Sequence, residues 1–271
     1  MRAAALAAVL AAAAIGVSPA DASQLIDRGT TGARLAIDPA GRAVVTYHAG
    51  GAQHTIVAWG AINARAPSER MAQVEFTLRY GARYPGSACR RYDGPSLAWI
   101  VAACKASDGS WWALQSWSRI LRSGTRRSAA TRELRLSHWR GELPQLAAGI
   151  GWVAGTYHRL AGRLTYRGQP VYGFHTTRTG NPLDGYGRNV YVDTLDSAYG
   201  AGWRRENGFL TRAPSGAFCY GLFPRGGRPS GMGAAYRATV IGPGVTPDVA
   251  WAGRPPAHGL TRARTTLACP R

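Results

Sequence analysis

The chain has 271 residues and a net charge of +19, from 33 arginines and lysines against 14 aspartates and glutamates. A positive field of this size attracts polyanions such as acidic glycans, wall polymers, lipid head groups or nucleic acid, while a coding bias toward arginine explains the same composition without a partner. The sequence has no G-x-x-x-x-G-K loop, dinucleotide fingerprint or G-x-S-x-G motif. Nucleotide binding through those loops and acyl-enzyme chemistry at such a serine are therefore disfavoured.

The first 22 residues have the three parts of a secretory signal. Arg2 precedes a short alanine-rich apolar run, and small residues follow at Ala20 and Ala22. This order predicts cleavage after Ala22. The run is shorter than the ~20 apolar residues of a membrane-spanning helix, and no other stretch is long enough. We therefore expect a soluble mature chain without a membrane span, secreted or held in the cell envelope.

Four cysteines in an exported chain, without metal-type spacing, predict two disulfides rather than a redox or zinc site. Three pairings are open. We favour Cys89 with Cys104, because they flank a short excursion, and Cys219 with Cys269, because that bond would tie the C-terminal tail to a strand. Free buried thiols are the alternative.

Short β-strands dominate the chain after the signal. Helical periodicity is scarce, and Gly and Pro recur between segments rich in Val, Thr, Tyr and Trp. In the N-terminal part, the D-P-A-G sequence at 38–41 predicts a tight turn, and residues 64–70 are the candidate linker. Residues 74–80 alternate, with Phe76 and Tyr80 on the apolar face. The predicted strands of this part lie at 34–37, 43–48, 53–59 and 74–80.

Two further turns and one loop are predicted in the rest of the chain. Asp108-Gly109 between two apolar runs predicts a hairpin, and the R-G-Q-P sequence at 167–170 predicts another. The arginine-rich stretch 123–131 predicts a mobile surface loop. Strands are expected at 97–105, 111–117, 133–139, 143–150, 153–158, 163–166, 171–176, 189–194, 216–223, 235–241 and 248–251.

More than ten short strands at this spacing predict an all-β fold. An antiparallel β-sandwich or a Greek-key or jelly-roll barrel fits the pattern, whereas a propeller would show a repeat of about forty residues that is absent. We expect a single β domain over residues 23–271, with residues 23–66 as an alternative small N-terminal sheet module.

Residues 186–207 form the richest chemical stretch of the sequence. Strand alternation places Val190, Val192 and Thr194 toward a core and a carboxamide, a phenol and a carboxylate on the other face. A glycine-rich turn at 199–202 then permits a second polar cluster to fold back beside the first. Aromatic rings stack on sugar faces while carboxylates, amides and arginines bind hydroxyl or acidic groups. The predicted ligand-binding residues are Asp184, Arg188, Asn189, Tyr191, Asp193, Trp203, Arg204 and Asn207.

Two other roles are open for this stretch. Glycoside hydrolysis needs two carboxyl groups about 5 to 9 Å apart, and Asp193 with Glu206 could supply them, with His175 as a general base or substrate contact. Alternatively, each acid pairs with a neighbouring arginine such as Arg188 or Arg205 and joins loops together, because structural ion pairs resemble functional sites.

The Asp108 hairpin offers a second aromatic group. Trp111, Gln115 and Trp117 share one strand face, with Trp99 on the facing strand. An exposed face would be a stacking platform for a polysaccharide, but burial in the core is favoured because large aromatic residues are mostly buried in sandwiches. The six histidines show no metal-ligand spacing.

These observations give three hypotheses for the function. The first is a secreted β-sandwich protein that binds an extracellular or cell-wall glycan or another polyanion, with no cofactor. The second is a secreted glycan-active hydrolase or lyase, and the third is an envelope interaction protein without a small ligand. Specific nucleic-acid recognition is not indicated, because the arginine-rich stretch lacks interleaved aromatic residues.

Overall fold

The computed structural model describes residues 23–60, 76–81, 87–123, 126–143, 146–153, 159–170, 190–206, 208–212, 217–222, 233–242, 244–245 and 247–254. This part of the chain is all-β and its strands pair antiparallel in four sheets, which confirms the predicted fold class. It contains no helix with the length and apolarity that a membrane crossing requires.

The first half of the chain forms two sheets. Sheet I has the order β1-β9-β8-β7-β6, with strands Gln24–Arg28, Arg126–Trp139, Trp111–Ser123, Ile100–Lys105 and Arg90–Arg91. Sheet II has the order β2-β3-β4-β5, with strands Thr31–Ile37, Ala43–Ala49, Ala52–Trp59 and Thr77–Tyr80.

The second half forms the other two sheets. Sheet III has the order β10-β11-β16-β15, with strands Leu146–Val153, Arg159–Tyr166, Ala217–Leu222 and Gly208–Arg212, and β12 (Gln169–Pro170) pairs with β11. Sheet IV has the order β14-β13-β17-β18, with strands Gly200–Arg205, Val190–Ser197, Ala235–Val240 and Asp248–Gly253.

Sheet I packs against different neighbours on its two faces. On one face, Trp112 and Leu114 share a buried cluster with Val45 and Ile56 of sheet II. On the other, Trp117 belongs to a cluster with sheets III and IV. The alternation of side chains along β8 explains this division, since odd and even positions face opposite ways. Over residues 111–117, both faces of this tryptophan-rich strand are therefore largely buried, as the core interpretation predicted.

Turn chemistry accounts for the predicted hairpins that the structure describes. Asp38 Oδ1 accepts hydrogen bonds from the backbone N–H groups of Ala40 and Arg42, at 2.9 Å each, which closes the turn between β2 and β3. Between β7 and β8, Gly109 has φ of +82°, a left-handed conformation that glycine adopts without steric cost.

Two local predictions for sheets I and II are wrong. Residues 126–131, expected in a surface loop, belong to β9, which pairs with β8 as far as Ser123↔Arg126. The arginine-rich composition of residues 126–131 suggested a loop. Strand formation depends on pairing and packing more than on composition, and the pairing with β8 makes this segment a strand. Tyr80, expected on a buried face, is 59% exposed, because β5 is the edge strand of sheet II and Tyr80 is its last residue.

The cysteine pattern is confirmed for one pair. Cys89 and Cys104 form a disulfide with an S–S distance of 1.98 Å, beside the edge strand β6. Cys219 is also disulfide-bonded, and Cys269, its predicted partner, lies outside the described residues. A disulfide is compatible with an extracellular location. The domain division stays a prediction, and β1 pairs with β9 of sheet I while β2 to β5 form sheet II.

Candidate functional site

Strands β13 and β14 bring the two predicted polar clusters side by side. In the antiparallel register Asp193 lies opposite Arg205 and Leu195 lies opposite Trp203. The chain reverses just before Gly200, and Asp196 (φ +49°) and Gly202 (φ +73°) adopt left-handed conformations around the turn. The segment after the turn, expected as a loop cluster, is therefore a strand.

Asp193 is held between two arginines. Arg205 Nε donates to Asp193 Oδ1 at 2.8 Å, and Arg237 Nη2 donates to Asp193 Oδ2 at 3.0 Å. The three side chains are only 4%, 7% and 17% exposed, respectively. Burial is costly for each charge, and the two charge-assisted hydrogen bonds offset that cost. The group carries one net positive charge, and both carboxylate oxygens of Asp193 are used in these bonds.

Aromatic rings surround the two arginines. The Arg205 guanidinium lies over the Tyr191 ring, 4.0 Å from its centroid. The Arg237 guanidinium lies 4.6 Å from the centroid of Trp203 and 5.1 Å from that of Trp99. Cation–π contacts of this length are favourable and fix both partners. Arg237 thus joins sheet IV to the start of β7 in sheet I.

Glu206 lies on the opposite face of sheet IV from Asp193. Its backbone N–H donates to Val192 O at 2.8 Å, which continues the β13–β14 ladder one residue past the Asp193↔Arg205 pair. Successive strand residues face opposite sides. Glu206 Oε1 accepts a hydrogen bond from the Tyr199 hydroxyl at 3.1 Å. The structure therefore does not bring the two carboxylates of the predicted catalytic pair to one surface.

Tyr236 is a buried residue that lies close enough to Glu206 to interact with its charge. It is fully buried and lies opposite Thr194 in the β13–β17 register. Burial raises the pKa of its hydroxyl, and the nearby Glu206 and Tyr199 add to that effect because they disfavour a further negative charge. Glu206 is itself fully buried and thus belongs to the packed interior rather than to an open cleft.

The other predicted site residues differ in their exposure. Tyr191 is buried with Arg205 over its ring, Trp203 is half-buried, and Arg204 is exposed. Arg237 was not predicted, because it lies 44 residues from Asp193 in the sequence and no local pattern connects them. Five predicted site residues lie outside the described residues: His175, Asp184, Arg188, Asn189 and Asn207.

A serine, a histidine and an aspartate also meet at the β7–β8 turn. Ser110 Oγ donates to Asp108 Oδ1 at 2.6 Å, and His138 Nε2 lies 2.9 Å from Ser110 Oγ. Because the serine proton is used on Asp108, His138 must donate to the serine rather than accept from it. Ser110 is also only 1% exposed. This group stabilises the turn. It does not activate the serine, because a nucleophilic serine donates its proton to the histidine, whereas here the histidine donates to the serine.

A chain of contacts continues from Trp99 into sheet I. Trp99 stacks on Trp117 with centroids 6.4 Å apart, and the Arg135 guanidinium lies 5.4 Å from the Trp117 ring. Arg135 in turn donates to Glu133 Oε2 at 3.0 Å. Alternating rings and ion pairs therefore link Asp193 of sheet IV with Glu133 of sheet I.

Comparison of the chain with protein families, with curated proteins and with solved structures finds no match. Within the described residues, no group of three or more His, Cys, Asp or Glu side chains is arranged to hold a metal ion.

Proposed function

We propose that the protein is exported and binds an extracellular or cell-wall glycan at the β13–β14 hairpin, through the ring of Trp203. The proposal of export rests on the signal-like residues 1–22 and agrees with the disulfide between Cys89 and Cys104. Trp203 is the residue of the predicted site that remains half-buried while Asp193 and Tyr191 are buried.

The observation that carries the proposal is the fixed position of the Trp203 ring. Arg237 lies over the indole, and Asp193 holds Arg237 in place. A ring that is already ordered loses little conformational entropy when a sugar stacks on it. The net charge of +19 of the chain, and the two arginines on the single carboxylate of Asp193, favour a glycan that carries carboxylate or sulfate groups.

The alternative of a hydrolase or lyase is less well supported. Asp193 is neutralised by two arginines, and Glu206 lies on the other face of the sheet. An inverting or retaining mechanism needs both carboxyl groups at one glycosidic bond. The third hypothesis, an interaction protein without a small ligand, fits the buried acids. It assigns no ligand to the half-buried ring of Trp203.

Retention on immobilised polysaccharides tests the proposal. A panel of neutral and acidic polysaccharides is probed with the full protein over a series of salt concentrations. We expect retention on the acidic members, weakened but not abolished by salt, because stacking is less sensitive to ionic strength than charge pairing. No retention on any member at low salt would refute glycan binding.

A further inference from the structure

The β8–β9 hairpin extends past the strands on both sides of it. β1 pairs with β9 from Leu136 to Glu133, and the last backbone bond on this side joins Gly29 N to Arg132 O. On the other side the last bond joins Ser116 N to Trp99 O. The β8–β9 ladder nevertheless continues from Ser118↔Arg132 to Ser123↔Arg126. Among the described residues, no third strand pairs with residues 118–123 or 126–131.

We call this extension, residues 118–123 and 126–131, the basic ribbon. Six residues in each strand span about 20 Å at the ordinary rise of a β-strand. An isolated two-stranded ribbon is marginally stable in water. An extension of this length beyond a sheet therefore needs a further stabilising contact or serves to reach a partner.

The charge of the basic ribbon has a single sign. It contains Arg119, Arg122, Arg126 and Arg127 and no aspartate or glutamate. The nearest acid in sequence is Glu133, which is buried and accepts hydrogen bonds from Arg28 and Arg135. A segment of this composition favours an anionic partner over a neutral one.

We propose that the basic ribbon binds a linear acidic polysaccharide, through arginines on strands other than those of the Trp203 site. Guanidinium groups form paired hydrogen bonds with carboxylate and sulfate groups, which a chain of acidic sugars presents at regular intervals. A nucleic acid is the less suitable partner, because the ribbon has no aromatic residue on which a base could stack. The last aromatic residue before it, Trp117, is buried.

A pair of charge-matched variants tests the proposal. The ribbon variant is R119Q/R122Q/R126Q/R127Q, and the control is R34Q/R79Q/R90Q/R91Q, which removes the same charge from arginines that are exposed on other strands. Binding to polygalacturonate and to dextran sulfate is measured by titration over a salt series, with neutral dextran and duplex DNA as comparisons.

We expect the ribbon variant to bind at least about tenfold more weakly than the control at low salt. The slope of log K against log salt concentration should be smaller in magnitude by about 3 for the ribbon variant, at roughly 0.7 for each lost arginine contact. Equal weakening in the two variants, or tighter binding of wild type to DNA than to both acidic polysaccharides, would overturn the proposal. Trp203→Ala should leave the salt dependence unchanged, because it removes no charge. The salt dependence therefore tests the ribbon proposal independently of the proposed glycan contact at Trp203.

A second measurement uses the unaltered protein and does not depend on the folding of a variant. Arginine-selective labelling with phenylglyoxal, followed by peptide mass spectrometry, is compared with and without dextran sulfate. Protection of the four ribbon arginines, with continued labelling of Arg34 and Arg79, supports the proposal. Labelling of the ribbon arginines that does not change with the polysaccharide contradicts it.

Discussion

Asp193 lies between Arg205 and Arg237, and each of its carboxylate oxygens accepts a hydrogen bond from one of them. The sequence indicates an acid in a polar stretch but leaves two roles open, ligand contact and ion pair. Burial separates the two roles, because a carboxylate that is used and desolvated in this way has little capacity left for a ligand. At this position the residue supports the fold and holds the ring of Trp203 indirectly, through Arg237.

Replacement of Asp193 by asparagine should destabilise the protein by about 3 kcal/mol, because two largely buried guanidinium groups would lose their counter-charge. The matched control is Asp196→Asn, three residues along the same strand, where the exposed Asp196 accepts a bond from Gly202 N. Asparagine can make that bond, so its effect should stay within about 0.5 kcal/mol. Urea unfolding measures both changes. Equal stability of the two variants would show that the ion pair contributes little.

Asp108 gives the stability a dependence on pH in the acid range. Hydrogen bonds from Ser110, then the charge of Arg140, lower the pKa of this carboxyl from 3.8 to about 2. A group with a lowered pKa stabilises the fold when ionised, so its contribution is present above pH 3.8 and is lost as the pH falls toward 2. The side chain is 49% exposed, which limits the contribution to ~1 kcal/mol.

The free energy of unfolding of wild type and Asp108→Asn, measured from pH 5 to pH 2, checks this account. The wild-type advantage should shrink by about 1 kcal/mol as the pH falls. A difference between the two proteins that stays constant with pH would contradict the assignment to Asp108.

At the scale of elements, hairpin turns were the most predictable features and pairing partners the least. The Asp108-Gly109 turn follows from local chemistry alone, whereas residues 126–131 become a strand only because β8 lies beside them. Strand β14 was missed for a related reason, since its two glycines and alanine indicate a turn until the pairing with β13 is known. The candidate site depends on such pairings, so Tyr191, Asp193 and Trp203 could be predicted, but neither their burial nor the contribution of Arg237 could.

Gly109→Ala tests the turn of the β7–β8 hairpin. Gly109 has φ of +82° and open space where a Cβ would be placed, so the cost is backbone strain alone, about 1 kcal/mol. Gly149→Ala is the control, because Gly149 on β10 also has open space but no left-handed backbone. It should be neutral or stabilising by up to ~0.5 kcal/mol. Similar thermal unfolding of the two variants would show that the turn tolerates a side chain.

At the scale of the whole molecule, sheet I lies in contact with sheet II on one face and with sheet IV on the other. Gln115 Nε2 donates to Pro247 O at 3.2 Å, across 132 residues of sequence, and Arg237 contacts Trp99. Contacts of this kind have no local sequence signal. The all-β class and one disulfide were predictable because they depend on periodicity and cysteine spacing, while the association of sheets, and hence the site, depends on long-range packing.

Asp193 and Arg237 hold the ring of Trp203 in place, and we propose that this ring contacts the glycan. Titration calorimetry of wild type, Trp203→Ala and Trp59→Ala against polygalacturonate tests it most directly, since Trp59 is a half-buried tryptophan of sheet II. We expect at least about a tenfold loss of affinity, ~1.4 kcal/mol, for Trp203→Ala and none for Trp59→Ala. Binding by Trp203→Ala with wild-type affinity would contradict it.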